Sequence, residues 1–109
     1  MNFEIESIRT FDKQAKRLSK KYPSLKTDLL KFAADLFNNP GQGKPLGKDC
    51  FKVRLQISSK NKGKSGGGRI VTCVRIVDEV IYLLTIYDKS EKEGISDAEL
   101  NALLSEIEP

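Results

Sequence analysis

The chain has no histidine among its 109 residues. That removes the side chain whose ordinary pKa lies nearest neutrality, so acid–base chemistry must fall to lysine, tyrosine or carboxylate. Cysteine is scarce too. Cys50 and Cys73 are too few for the disulfide framework of a small secreted domain, and without histidine they fall short of a zinc ligand set. Each lies in an apolar, strand-like run and reads as a reduced, buried thiol. No apolar stretch approaches the roughly 20 residues of a membrane span, and the opening segment lacks the apolar core of a signal peptide. These absences predict a cytoplasmic protein with no metal, no cofactor and no membrane partner. The length predicts one domain over residues 1–109, with one modest core.

What the chain does have is positive charge, unevenly placed. Between Lys44 and Arg75 stand nine basic residues against the single acid Asp49. From Asp88 to the end, seven acids face Lys89 and Lys92. A basic middle before an acidic tail predicts a polyanion partner for the middle, whereas evenly scattered lysines would serve only solubility. The charge centres on the run Lys60-Asn-Lys-Gly-Lys-Ser-Gly-Gly-Gly-Arg69, a loop suited to phosphate. It lacks the Walker pattern, so nucleotide binding is not expected.

Periodicity supplies the elements. Phe3–Ile8 alternates like a half-buried strand, and Thr10 is the expected cap of a helix whose apolar positions are Phe11, Ala15, Leu18 and Tyr22. Pro23 ends it, and Leu25, Leu29, Phe32, Ala33 and Leu36 stripe a second helix. Phe51, Val53, Leu55 and Ile57 alternate with Lys52, Arg54 and Gln56 in a strand whose basic side faces away from the helices. Strands over Arg69–Val77 and Val80–Tyr87 follow, joined by Asp78-Glu79, the second apolar on both faces. Ser96-Asp-Ala-Glu99 is a capping box opening a last helix. The predicted class is α+β, in the order β-α-α-β-β-β-α, with a mainly antiparallel sheet and a helical hairpin on one face.

The basic middle points to nucleic acid. If that partner were RNA cut without a metal, the site would need a base for the ribose 2′-OH, cations for the phosphorane-like state and an acid for the leaving oxygen. A lysine crowded by other cations can have its pKa lowered enough to move a proton, while arginines remain fixed charge. Arg69, Lys52 and Arg54 are the candidates on the basic face. Tyr87 can stack on a base or relay a proton, and Glu91 can orient Lys89. Lys60, Lys62, Lys64 and Arg75 are candidate contacts for a nucleic-acid backbone. Each has a plainer alternative. Lys52 and Arg54 can simply solvate a sheet face, Tyr87 can belong to the core, Arg75 can pair with an acid, and Lys89 with Glu91 can be a surface ion pair of negligible energy.

The β-α-α-β-β-β order, the Phe51-Lys-Val-Arg54 strand, the Gly-Gly-Gly-Arg69 entry and the Leu-Leu-Thr-Ile-Tyr-Asp-Lys-Ser-Glu91 segment resemble the RelE superfamily of bacterial toxins, most closely its HigB-like branch. The resemblance spans nearly the whole chain. It implies the RelE/ParE-like fold and a ribosome-dependent mRNA endonuclease, held inactive by a cognate antitoxin, with ribosome and mRNA as its other partners. The strand-linking loop is longer and richer in glycine than the better-known RelE pattern, and Tyr87-Asp-Lys89-Ser-Glu91 replaces its arginine-then-tyrosine signature. Two alternatives stand beside it: a toxin of the same fold that poisons DNA gyrase, which would not need Arg69, Lys52 and Arg54 on one face, and a non-catalytic RNA-binding regulator.

Overall fold

The computed structural model describes residues 2–60 and 66–107. Five strands form one sheet in the spatial order β1-β5-β4-β3-β2. They are β1 (Glu4–Ser7), β2 (Lys44–Gly47), β3 (Cys50–Leu55), β4 (Gly68–Arg75) and β5 (Val80–Asp88). Only β1 runs parallel to its neighbour, β5; the other pairings are antiparallel. Helices α1 (Arg9–Lys21) and α2 (Leu25–Asn38) make the hairpin, and α3 (Asp97–Ser105) packs against β5. The α+β class and the helical hairpin on the sheet follow the expectation. Among the described residues, no helix is long and apolar enough to cross a membrane.

The core forms where the helical stripes meet the apolar strand positions. Leu18, Leu25 and Leu36 are fully enclosed with Ile70, Ile81 and Leu84. Each such side chain contributes about 1.5–3 kcal/mol on burial. β5 is buried along nearly its whole length, as its two-sided apolar sequence predicts. Cys50 and Cys73 face each other across β3 and β4 as buried free thiols.

Three local expectations are corrected. The sheet has one more strand than the sequence shows, β2 with sequence Lys-Pro-Leu-Gly. Proline cannot donate to a ladder, so it obscures a strand and fits only at an edge. The two-residue turn after it, Lys48-Asp49, adopts φ of 56° and 61° without the Asn-Gly that normally announces such a hairpin. Second, α1 begins after Ile8 with no side-chain cap. Thr10 is not the cap because its hydroxyl and amide both donate to the Glu106 carboxylate. Third, β4 ends at Arg75, and Ile76–Glu79 make a four-residue link with Glu79 at φ 56°. Ile76 and Val77 are exposed, so they add nothing to a longer strand. The capping box does form: the Ser96 hydroxyl accepts from the Glu99 amide while the Glu99 carboxylate accepts from the Ser96 amide.

Candidate active site

Strand register assembles the basic face. Arg54 lies opposite Arg69 across β3 and β4, and Arg69 lies opposite Tyr87 across β4 and β5. Residues directly opposite in an antiparallel pair share a face, with Cβ atoms about 4.5–5.5 Å apart. These three therefore form one transverse row. Two residues earlier on β3, Lys52 shares that face, and Lys44 lies opposite it on β2. The sheet thus sets two like-charge pairs side by side, an arrangement that costs stability. Lys44, Lys52, Arg54, Arg69 and Lys89 open on one cavity of about 630 Å³, joined at its lining by Gln42 and Glu93.

Within this cluster the groups differ. Arg69 is only 6% exposed, and its Nη1 donates to the Gly68 carbonyl at 2.9 Å. A guanidinium keeps its charge when enclosed, so Arg69 is the fixed cation of the wall. Arg54 is exposed and Lys52 half-buried, free to follow a ligand. Tyr87 stands beside Arg69 in the row, buried and outside the cavity lining. Its hydroxyl makes no hydrogen bond among the described residues. Burial pushes the phenol above its ordinary pKa against the pull of the Arg69 charge, so Tyr87 remains protonated. Gly43 brings the β2 entry against β3. Its φ is +103°, and a Cβ there would meet the Lys52 carbonyl oxygen at 2.6 Å. No other residue type fits that approach, which places Gln42 and Lys44 at the cavity.

The next residue along β5 points the other way. Asp88 is fully buried. It accepts from Lys60 Nζ at 2.6 Å, from the Ser90 amide at 2.9 Å and hydroxyl at 2.8 Å, and from the Tyr22 hydroxyl. Burial works against its ionisation, but the bonds from Lys60, Tyr22 and Ser90 outweigh it and hold the carboxyl below the ordinary aspartate range. The Lys60 side chain is 7% exposed. The expectation that Lys60 is an open contact for RNA is therefore corrected: its ammonium is enclosed and ion-paired. Lys62 and Lys64 lie outside the described residues.

Glu91 does not orient Lys89. Its carboxylate meets Arg17 Nη2 at 3.1 Å and Lys21 Nζ at 3.6 Å, both on α1. The Arg17 hydrogen bond, assisted by the charges of Arg17 and Lys21, holds it below the ordinary glutamate range against slight burial. The turn after β5, closed by the Glu91 and Lys92 amides on the Asp88 carbonyl, carries Glu91 toward α1. Glu93 lies at the cavity instead. Arg75 is six residues from Arg69 along β4, roughly 20 Å away at about 3.3 Å per residue. It donates from Nε to Cys73 Sγ at 3.4 Å and does not join the cluster. The hydrogen bond shared with Cys50, together with the Arg75 guanidinium, draws the Cys73 thiol down. The same shared bond and burial push Cys50 up. Among the described residues, no three of cysteine, aspartate and glutamate gather as a metal ligand set.

Gln42, Lys44 and Glu93 are the lining residues that sequence reasoning missed. The first two depended on recognising β2 and its glycine contact. The third depended on where strand alternation stops after Asp88.

The chain is a single-sheet α+β protein with a helical hairpin on one face and a cation-lined cavity on the other. The model of the RelE toxin of the RelE/RelB toxin–antitoxin system matches residues 7–107, and the chain belongs to that family. Its structure is similar to that of a mutant of the E. coli toxin RelE in the free state, with a TM-score of 0.62 at 18% sequence identity. That likeness covers 97% of this chain and 94% of the other.

Proposed function

We propose that this chain is a ribosome-dependent mRNA endonuclease toxin of the HigB-like branch, neutralised by a cognate antitoxin. The observation that carries the reading is the pair of like-charge cross-strand contacts, Lys44 with Lys52 and Arg54 with Arg69, lining one cavity. A sheet has no structural use for such opposition, and rule-breaking of this kind is characteristic of functional sites. Phosphate between the two rows would neutralise the repulsion.

In this reading the 2′-OH attacks the adjacent phosphorus, leaving a 2′,3′-cyclic phosphate and a 5′-OH. Arg69 supplies fixed charge to the developing phosphorane, and Arg54 and Lys52 close on the phosphate from the neighbouring strand. Lys89 stands beside them as a further cation. Tyr87 serves the site by backing Arg69, reaching RNA only if the row opens. Glu91 pairs with Arg17 and Lys21 on α1 and takes no part in the step. Lys62 and Lys64 assist capture of the ribosomal polyanion. The ribosome bends the message into line, a task for which a small site without histidine is poorly equipped.

The test is to induce the chain in bacteria without its antitoxin and map the ends of cellular mRNA. Codon-phased cuts within translated regions support the reading. An SOS response with intact messages would transfer it to the gyrase-poisoning alternative, and intact messages with neither effect would leave an RNA-binding regulator. Purified protein that cuts naked RNA as fast as ribosome-bound message would remove the ribosome from the mechanism.

A further inference from the structure

We infer that Glu93 is the proton acceptor of the cleavage step, an inference that rests on the endonuclease reading above. The chain has no histidine to take the 2′-OH proton. Of the remaining groups that can, three are excluded by position. Tyr87 is buried, and its raised pKa keeps it protonated. Asp88 is fully buried and saturated by Lys60, Tyr22 and Ser90. Glu91 is engaged by Arg17 and Lys21 on α1. Among the described residues, Glu93 is the only acid lining the cavity, beside Lys44 from β2, Lys52 and Arg54 from β3, Arg69 from β4 and Lys89 from the segment after β5.

That setting suits a base. The carboxylate shares the cavity lining with five cationic side chains, and an ionised carboxylate accepts hydrogen bonds and nothing else. It also lies on an exposed segment, so a ribose can reach it. The step balances as follows. Glu93 takes the 2′-OH proton as the O2′–P bond forms, and the P–O5′ bond breaks. The departing 5′-oxygen takes a proton from a cavity ammonium, Lys52 or Lys89. The glutamic acid then returns its proton to the neutral amine through solvent.

The experiment is single-turnover cleavage of message on programmed ribosomes, at saturating protein and across pH, for wild type, Glu93→Gln, Glu93→Asp and Glu91→Gln. Wild type should lose rate toward acid pH. Glu93→Gln should be slower by about 10²–10⁴-fold, the usual contribution of general base catalysis, and should lose that acid limb while still binding ribosomes. Glu93→Asp should retain the limb at a reduced rate, and Glu91→Gln should keep the wild-type profile. Glu93→Gln with wild-type rate, or a slower rate with the acid limb intact, overturns the assignment and leaves the endonuclease reading standing. Wild-type protein that leaves ribosome-bound message uncut overturns the reading itself, and the role of Glu93 with it.

Discussion

Tyr87, Asp88 and Lys89 are consecutive, yet they belong to two regions of opposite character. Asp88 lies on the helical side, where its buried charge is answered: Lys60, Tyr22 and Ser90 close on one carboxylate. Tyr87 and Lys89 belong to the side where cation is set against cation around a cavity. Alternation along β5 divides the three residues between these tasks. The contrast teaches how to sort charge in a small basic protein. Charges that find partners within the fold hold it together, and charges that the fold forces against one another are held for a ligand.

The sharpest way to break this division is at Asp88. Asp88→Ala leaves the Lys60 ammonium enclosed without its partner, and losing one member of a buried pair costs about 3–5 kcal/mol. Urea unfolding should show that loss. The pair also fixes a pH dependence. The folded pKa of Asp88 lies below its unfolded value, so its stabilisation is complete above the ordinary aspartate range and disappears as pH falls through that range toward the lower folded value. Asp88→Asn should flatten that acid limb of the stability curve. On the opposite side, Lys52→Ala should leave stability unchanged or raise it by about 0.2–1 kcal/mol, because it relieves the opposition with Lys44. A Lys52→Ala protein less stable than Asp88→Asn would erase the distinction between the two regions.

Next in size is Arg69→Ala. Loss of one preorganised contact to developing charge costs on the order of 10²–10³ in rate, so the variant should be tolerated by cells. Because Arg69 is enclosed, circular dichroism and antitoxin binding must show the variant folded, and Arg69→Lys separates charge from the guanidinium fork. A folded Arg69→Ala protein as toxic as wild type would place the chemistry elsewhere.

Much of this was legible in the sequence, and the failures have physical causes. Alternation over Phe51–Ile57 put Lys52 and Arg54 on one face, and the register then added Arg69. Helical stripes located Leu18, Leu25 and Leu36 in the core. Lys44 was hidden because a proline in β2 and a Lys48-Asp49 turn disguise a hairpin. Lys60 was misjudged because composition reports that a loop is basic, while the acid that answers it lies 28 residues away on another element. Glu91 and Glu93 cannot be told apart by spacing, since both stand beyond the last residue of β5.

The smallest expected effect is therefore the most discriminating between those two glutamates. The Arg17–Glu91 pair is exposed, with side chains 57% and 37% accessible. Pairs in such a setting are worth about 0.2–1 kcal/mol at most, and salt screens them. Glu91→Gln should lower the unfolding midpoint slightly in dilute buffer, and the difference from wild type should vanish in high salt. Its cleavage rate should remain that of wild type, because the segment after β5 is still closed by backbone bonds to the Asp88 carbonyl. A large loss of cleavage at unchanged stability would place Glu91 in the chemistry. The pairing with α1 would then describe a resting state that must break before the cavity is complete.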